Sequence, residues 1–144
     1  MPGYSGTPLV KKLGVKPGET LLTVGAPREY ASWLGALPEG AHITSRRPPL
    51  PNAVHVFATK RADLARELST LRRQLAQSGY VWVSWPKKSS GVATDITEDV
   101  IRDVALPLGF VDVKVCAVTD VWSGLKLVIR VSERKDLGTQ GLRD

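Results

Sequence analysis

The sequence predicts an α/β fold: a single-domain three-layer sandwich with a mostly parallel sheet and an antiparallel hairpin at its end. Three observations predict it. Short apolar runs bounded by turn residues fall at residues 20–24, 53–58 and 80–85, as buried parallel strands do. Between the last two runs, Leu64, Leu68, Leu71 and Leu75 are spaced by four, three and four. That is a helical stripe, so strand, helix and strand follow one another with joints short enough for parallel pairing and a right-handed crossover. Finally, the runs 111–118 and 125–131 are joined by the turn Asp120-Val121-Trp122-Ser123-Gly124, too short for a crossover, which makes those two strands antiparallel.

The remaining elements are read in chain order. Thr7-Pro8 opens a helix through Leu9, Val10 and Leu13 that Gly14 ends, and Pro17-Gly18 turns the chain into the strand Thr20 to Val24,. Residues 41–44 are a candidate second strand that the sequence leaves open. From there only eight residues, three of them Pro48, Pro49 and Pro51, lead to Ala53, too few for a helical crossover. Gly79 stops the leucine-striped helix, and Pro86 closes the strand after it. Asp95, with Glu98 three residues on, matches a reciprocal capping pattern for a helix whose Ile96, Val100, Ile101 and Val104 face inward and which Pro107 and Gly109 end,. Residues 1–131 are expected to form the domain, and the polar residues 132–144 a flexible tail.

With 144 residues and 15.6 kDa, one core suffices. A hydrophobic fraction of 42% against 24% charged residues excludes the disordered class. Neither a membrane-length apolar run nor a signal pattern at the start is present, so a cytoplasmic protein with no membrane partner is expected; oligomeric state is not fixed by the sequence. Cys116 is the only cysteine and falls in an alternating apolar run, which reads as a buried, inert thiol.

The segment Leu13-Gly14-Val15-Lys16-Pro17-Gly18 followed by strand 20–24, and Leu75 to Pro86, together with the element order, resemble the class I S-adenosylmethionine-dependent methyltransferase-like Rossmann fold, with its reversed last strand. More narrowly, Tyr4-Ser5-Gly6-Thr7-Pro8-Leu9, Pro86-Lys87-Lys88-Ser89-Ser90-Gly91-Val92-Ala93-Thr94-Asp95 and Val121-Trp122-Ser123-Gly124-Leu125 resemble a bacterial family of unknown function. The first resemblance implies a shortened fold of that type over residues 9–131. It also implies a glycine-rich loop after the first strand and acidic residues in the first strand and at the end of the second. Of these only Gly25 carries over. Thr23 stands in the strand, Pro27 and Glu29 stand in the loop, and Ser45-Arg46-Arg47 follows residues 41–44. An arginine cannot accept hydrogen bonds from ribose hydroxyls. No cofactor is therefore assigned.

Ligands of open parallel sheets sit at the carboxyl ends of the strands. The residues there are Gly25-Ala26-Pro27-Arg28, Thr59-Lys60-Arg61, Lys87, Lys88, Ser89, Ser90, Gly91, and the turn with Asp120, Trp122 and Ser123, with Arg46 and Arg47 expected at the same edge. Cations recur after successive strands, against a net charge of +6 and a pI of about 9.7. The candidate ligand-binding set is thus Gly25, Arg28, Lys60, Lys87, Lys88, Ser89, Ser90, Gly91, Asp120, Trp122 and Ser123. It suits a phosphate or carboxylate on a flat ring, with Trp122 stacking. The competing reading takes the lysines as solvated surface and Trp122 as a lid on the core. Tyr4, Lys11 and Lys12 are further candidates for folding over this edge.

Catalytic signals are sparse. His42 and His55 are the only histidines, and His55 alternates within an apolar strand, as a core position would. No His, Cys or carboxylate cluster has metal-ligand spacing, and Ser89 and Ser90 lack the glycine-flanked nucleophile pattern. Three readings follow in order: a non-catalytic module for a small anionic ligand, a nucleotide or other phosphate compound; a diverged S-adenosylmethionine-dependent methyltransferase; and a nucleic-acid-binding protein, with Arg66, Arg72 and Arg73 extending the basic patch. A partner-protein scaffold would instead expose Trp33, Trp82, Trp85 or Trp122.

Overall fold

The computed structural model describes residues 7–134. Its strands are β1 (Thr20–Val24), β2 (His42–Thr44), β3 (Ala53–Phe57), β4 (Tyr80–Pro86), β5 (Phe110–Ala117) and β6 (Trp122–Ile129), and its helices are α1 (Leu9–Leu13), α2 (Tyr30–Leu34), α3 (Arg61–Gln74) and α4 (Glu98–Leu108). The strands form one sheet in the order β2-β1-β3-β4-β6-β5. The first four are parallel, whereas β6 runs antiparallel to both β4 and β5. This is the α/β architecture the apolar runs predict.

Burial explains why those runs are unbroken. Every residue of β3 and of β4 is buried, because helices cover both faces of the sheet. Leu64, Leu68 and Leu71 of α3 and Ile101 and Ala105 of α4 pack over Val54, Val56, Val81, Val83, Leu125 and Leu127. On the other face, Leu9 and Leu13 of α1 and Tyr30 and Leu34 of α2 pack over Leu21, Phe57, Tyr80 and Trp82. Each fully buried leucine is worth about 2 kcal/mol relative to exposure. Trp82, wholly buried, also donates Nε1–H to the Leu13 carbonyl at 2.9 Å. It fastens the end of α1 to a central strand and gives its own buried indole donor a partner,.

At several points the structure answers or corrects the local reading. Residues 42–44 do form a strand, which pairs with β1 at the sheet edge. The following connection reaches β3 without a helix, and contacts to α3 and to the turn after it help hold it in place. Arg47 pairs with Glu67 of α3 at 2.6 Å, and the Pro51 carbonyl accepts from Ala76 N at 2.8 Å. Asp95 does not cap α4. Thr97 is the N-cap, its Oγ1 accepting from Val100 N at 3.2 Å, while Asp95 Oδ1 accepts from Arg61 N at 2.6 Å and so caps α3 from another part of the chain. Pro107 lies inside the last turn of α4, which ends at Gly109 in the left-handed region. Trp122, Ser123 and Gly124 belong to β6 rather than to the turn. Ser132 and Glu133, at the start of the expected tail 132–144, complete a 3₁₀ turn that begins at Val131, and Arg134 Nε donates to the Ile129 carbonyl at 2.8 Å; residues 135–144, like Tyr4, lie outside the described residues.

Candidate functional site

The loops after β3 and β4 build the carboxyl edge, and one side chain links them. Thr94 Oγ1 donates to the Thr59 carbonyl at 2.7 Å and accepts from Ile96 N at 3.0 Å, while Asp95 N donates to the same Thr59 carbonyl at 3.3 Å. A cleft of about 400 Å³ lies here, lined by Thr59, Lys60, Ala93, Thr94 and Asp95. A second, of about 140 Å³, is lined by Trp85, Pro86, Lys88, Thr94, Ile96 and Thr97. Lys60 and Lys88 therefore border clefts that share Thr94. The threonines at 94 and 97 were not among the sequence candidates; their signal was position alone, just beyond the Lys87–Gly91 loop.

The other predicted residues are distributed around this edge. Lys87 N donates to the Val121 carbonyl at 2.7 Å, which sets the turn carrying Asp120 beside the lysine pair, as the strand order implies. Lys88–Ser90 form a 3₁₀ turn closed by Gly91 in the left-handed region. Within it, the Ser90 hydroxyl donates to the Lys87 carbonyl at 2.6 Å and accepts from Val92 N at 3.2 Å, so it serves the turn; Ser89 is exposed. Trp122 meets Phe57 edge-on at 5.0 Å between centroids and packs against the core cluster of the α1 and α2 face. Its neighbour Ser123 is half-buried opposite Trp85. Gly25 and Arg28 follow β1 and border neither cleft. At Gly25, φ is +71° and an added Cβ would meet the Phe57 carbonyl oxygen at 2.9 Å. The close approach of β3 thus accounts for this glycine without a ligand.

Charge is arranged unevenly. Over the helical layer Arg47, Arg66, Arg72 and Arg102 are paired with carboxylates. Arg73, the third member of the basic helix patch, donates to the Ser69 carbonyl. At the carboxyl edge Arg28, Lys60, Lys87 and Lys88 form no ion pair with any described residue.

His55 sits at the centre of a sealed polar chain. Its Nδ1 lies 2.7 Å from Tyr30 Oη and its Nε2 2.7 Å from Ser84 Oγ. His55 and Ser84 are wholly buried and Tyr30 nearly so, and burial alone pushes the imidazole down to about pKa 3. Burial also raises the Tyr30 phenol, with smaller contributions from Tyr80 and Cys116. The ring stacks on Phe57 at 4.3 Å. This is a neutral, satisfied core histidine, out of reach of solvent and of substrate. Cys116 is half-buried rather than buried; burial raises its thiol pKa, and Lys12 and Lys114 oppose that rise. Lys12 itself donates Nζ–H to the Ala117 carbonyl at 3.2 Å, while Lys11 is exposed.

Solved structures share this fold at low identity. A SAM dependent methyltransferase from Aquifex aeolicus superposes with a TM-score of 0.61 at 15% identity, over 84% of this chain and 87% of that one. A proposed type 11 methyltransferase from Sulfolobus solfataricus gives 0.58 at 16% identity, over 85% and 90%. PigF with SAH gives 0.51 at 10% identity, over 76% and 56%. The chain therefore has a methyltransferase-like Rossmann fold. No family model matches it, and no curated protein does. Among the described residues no helix is long and apolar enough to cross a membrane.

Proposed function

We propose that the chain is a non-catalytic Rossmann-like module that binds a small anionic ligand, a nucleotide or other phosphate compound, at the carboxyl ends of its strands. The observation that carries this reading is the charge contrast. The helix-layer arginines at 47, 66, 72 and 102 are neutralised internally, whereas Arg28, Lys60, Lys87 and Lys88, which follow three parallel strands, are not. Lys60 and Lys88 flank the paired clefts at Thr94, and an anion seated between them gains two charge-assisted contacts. Asp95 already occupies the amino terminus of α3, so side-chain ammonium groups rather than the helix dipole supply the attraction.

The fold neighbours favour one other reading, a diverged S-adenosylmethionine-dependent methyltransferase. The residues present do not fit that cofactor by the contacts the resemblance implies. Gly25 is explained by Phe57, Pro27 and Glu29 replace loop glycines, and β2 ends at Thr44, whose Oγ1 accepts from Arg46 N at 3.0 Å, with no carboxylate to take ribose hydroxyls. The third reading, nucleic-acid binding, draws less support because Arg66 and Arg72 already face Asp63 and Glu133.

A thermal-shift comparison of inorganic phosphate, ADP and S-adenosylhomocysteine tests the proposal, with the Lys60→Ala/Lys88→Ala and Lys87→Ala/Lys88→Ala variants alongside. A ligand at 100 times its Kd stabilises by about 2.7 kcal/mol, a rise of several degrees for a domain of this size. The expected result is a rise with phosphate or ADP that both variants lose. A rise with S-adenosylhomocysteine alone favours the methyltransferase reading, and no rise with any of them overturns the proposal.

A further inference from the structure

We propose a second anion site, at the opposite, amino edge of the sheet, built by Lys126, Lys16 and Tyr80 and suited to a compact dianion of the size of a phosphate group. A cleft of about 330 Å³ lies there, lined by Gly14, Lys16, Glu19, Asn52, Ser78, Tyr80, Lys126 and Val128.

Strand alternation makes Lys126 anomalous. Leu125, Leu127 and Ile129 of β6 face the α3 and α4 layer, while Val128 packs against the cluster under α1. Lys126 shares the face of Val128. An ammonium thus stands on the α1 face of an interior strand, hydrogen-bonded on both sides, where alternation calls for an apolar residue. Its Nζ lies 4.7 Å from the centroid of the Tyr80 ring, and an added Cβ at Gly14 would be 3.8 Å from it. Breaches of the local pattern of this kind concentrate at functional sites.

Two of the charged neighbours of Lys126 are cations, Lys114 and Lys16. In the β5–β6 register Lys114 stands directly opposite Lys126, and like charges across a strand pair destabilise it. Burial, then Lys114 and Lys16, lower the Lys126 pKa, and Glu19 opposes them. Glu19 lines the same cleft, and its carboxylate is occupied by neutral donors rather than by a lysine ammonium. Its Oε1 accepts from Lys16 N at 2.9 Å and from Tyr80 Oη–H at 3.2 Å, and its Oε2 from Asn52 Nδ2 at 3.0 Å. Lys16, Lys114 and Lys126 form no ion pair with any described residue. A dianion in the cleft relieves the Lys114–Lys126 repulsion and sits against an ammonium held over the Tyr80 ring face,. The two edges are separated by the length of a five-residue strand, roughly 15 Å, so the sites are distinguishable.

Amide-resolved NMR titration with inorganic phosphate, against sodium chloride at matched ionic strength, tests this site. Wild type is compared with Lys126→Met, which keeps the length of the side chain without its charge, with Lys126→Gln should the methionine variant not fold, and with Lys60→Ala/Lys88→Ala. The expected result is a set of phosphate-specific shifts at Gly14, Lys16 and Ser78, with affinity at least tenfold weaker in Lys126→Met and unchanged in the carboxyl-edge variant. Absence of those shifts, an equal response to chloride, equal affinity in Lys126→Met, or their loss in Lys60→Ala/Lys88→Ala overturns the inference. Shifts confined to Thr59, Ala93 and Thr94 would overturn it while leaving the carboxyl-edge reading intact.

Discussion

Acidification should weaken this fold through one residue, His55, and over a pH range in which few other groups titrate. The imidazole is held neutral between Tyr30 and Ser84 with its pKa near 3, while in the unfolded chain it has the ordinary value of about 6.5. A group whose folded pKa is depressed contributes stability that is present above its unfolded pKa and lost as pH falls toward the folded one. Below about pH 6.5 the unfolded chain takes up a proton that the folded chain cannot, at about 1.4 kcal/mol per pH unit. Integrating a single site from pH 7.5 to 5.5 gives a loss of about 1.4 kcal/mol, since carboxylates, near 4, scarcely titrate there. Urea unfolding followed by tryptophan fluorescence at the two pH values reads this directly, with His55→Gln as comparison. The variant is less stable at pH 7.5, because Tyr30 or Ser84 loses a buried partner at about 1–3 kcal/mol, yet its stability should change little between the two pH values. An equal fall in wild type and His55→Gln would refute the reasoning and place the acid-sensitive group elsewhere.

Two further outcomes follow from local geometry. Gly25→Ala, which forces a side chain to φ of +71° and within 2.9 Å of the Phe57 carbonyl, should cost at least about 1–2 kcal/mol in chemical denaturation, whether or not any ligand is added; a cost seen only in ligand binding would contradict the structural role assigned to it. Thr97→Ala and Asp95→Ala should each lower stability by about 1 kcal/mol, the first with faster amide exchange at the start of α4 and the second with faster exchange at Arg61; the reverse pattern would restore Asp95 as the cap of α4.

What the sequence disclosed was set by the range of the interactions involved. β1, β3 and β4 were legible because burial on both faces leaves unbroken apolar runs. β2 was legible only as an open candidate at 41–44, because an edge strand of three residues with an exposed histidine, His42, carries no such run. Trp122 and Gly124 read as turn residues, yet Gly124 belongs in a strand because Trp82 fills the space above it. An added Cβ would lie 3.2 Å from both Trp82 Cε3 and Val118 Cγ2. Asp95 and Thr97 both precede the α4 acids, and only the tertiary bonds from Thr94 to Thr59 and from Arg61 to Asp95 decide between them. At the carboxyl edge the lysines were legible as cations after strands. Thr94 was not, since its part depends on a bond to a residue 35 positions away. The Tyr30–His55–Ser84 chain likewise spans separations of 25 and 29 residues, beyond any local pattern.

The place of β6 bears on how the molecule comes off the ribosome. It is the last of the described strands but lies inside the sheet, between β4 and β5. Until residue 129 has been made, β4 presents an open, apolar edge to solvent, and that edge is the template on which stray strands add. Vectorial synthesis therefore cannot complete this sheet piece by piece. Helices α3 and α4 and the parallel strands can gather, but closure waits for a segment that must enter between two partners already present, a long-range step and a slow one. A chain ending before Trp122 accordingly lacks the strand that pairs with both β4 and β5, and both of those edges stay open.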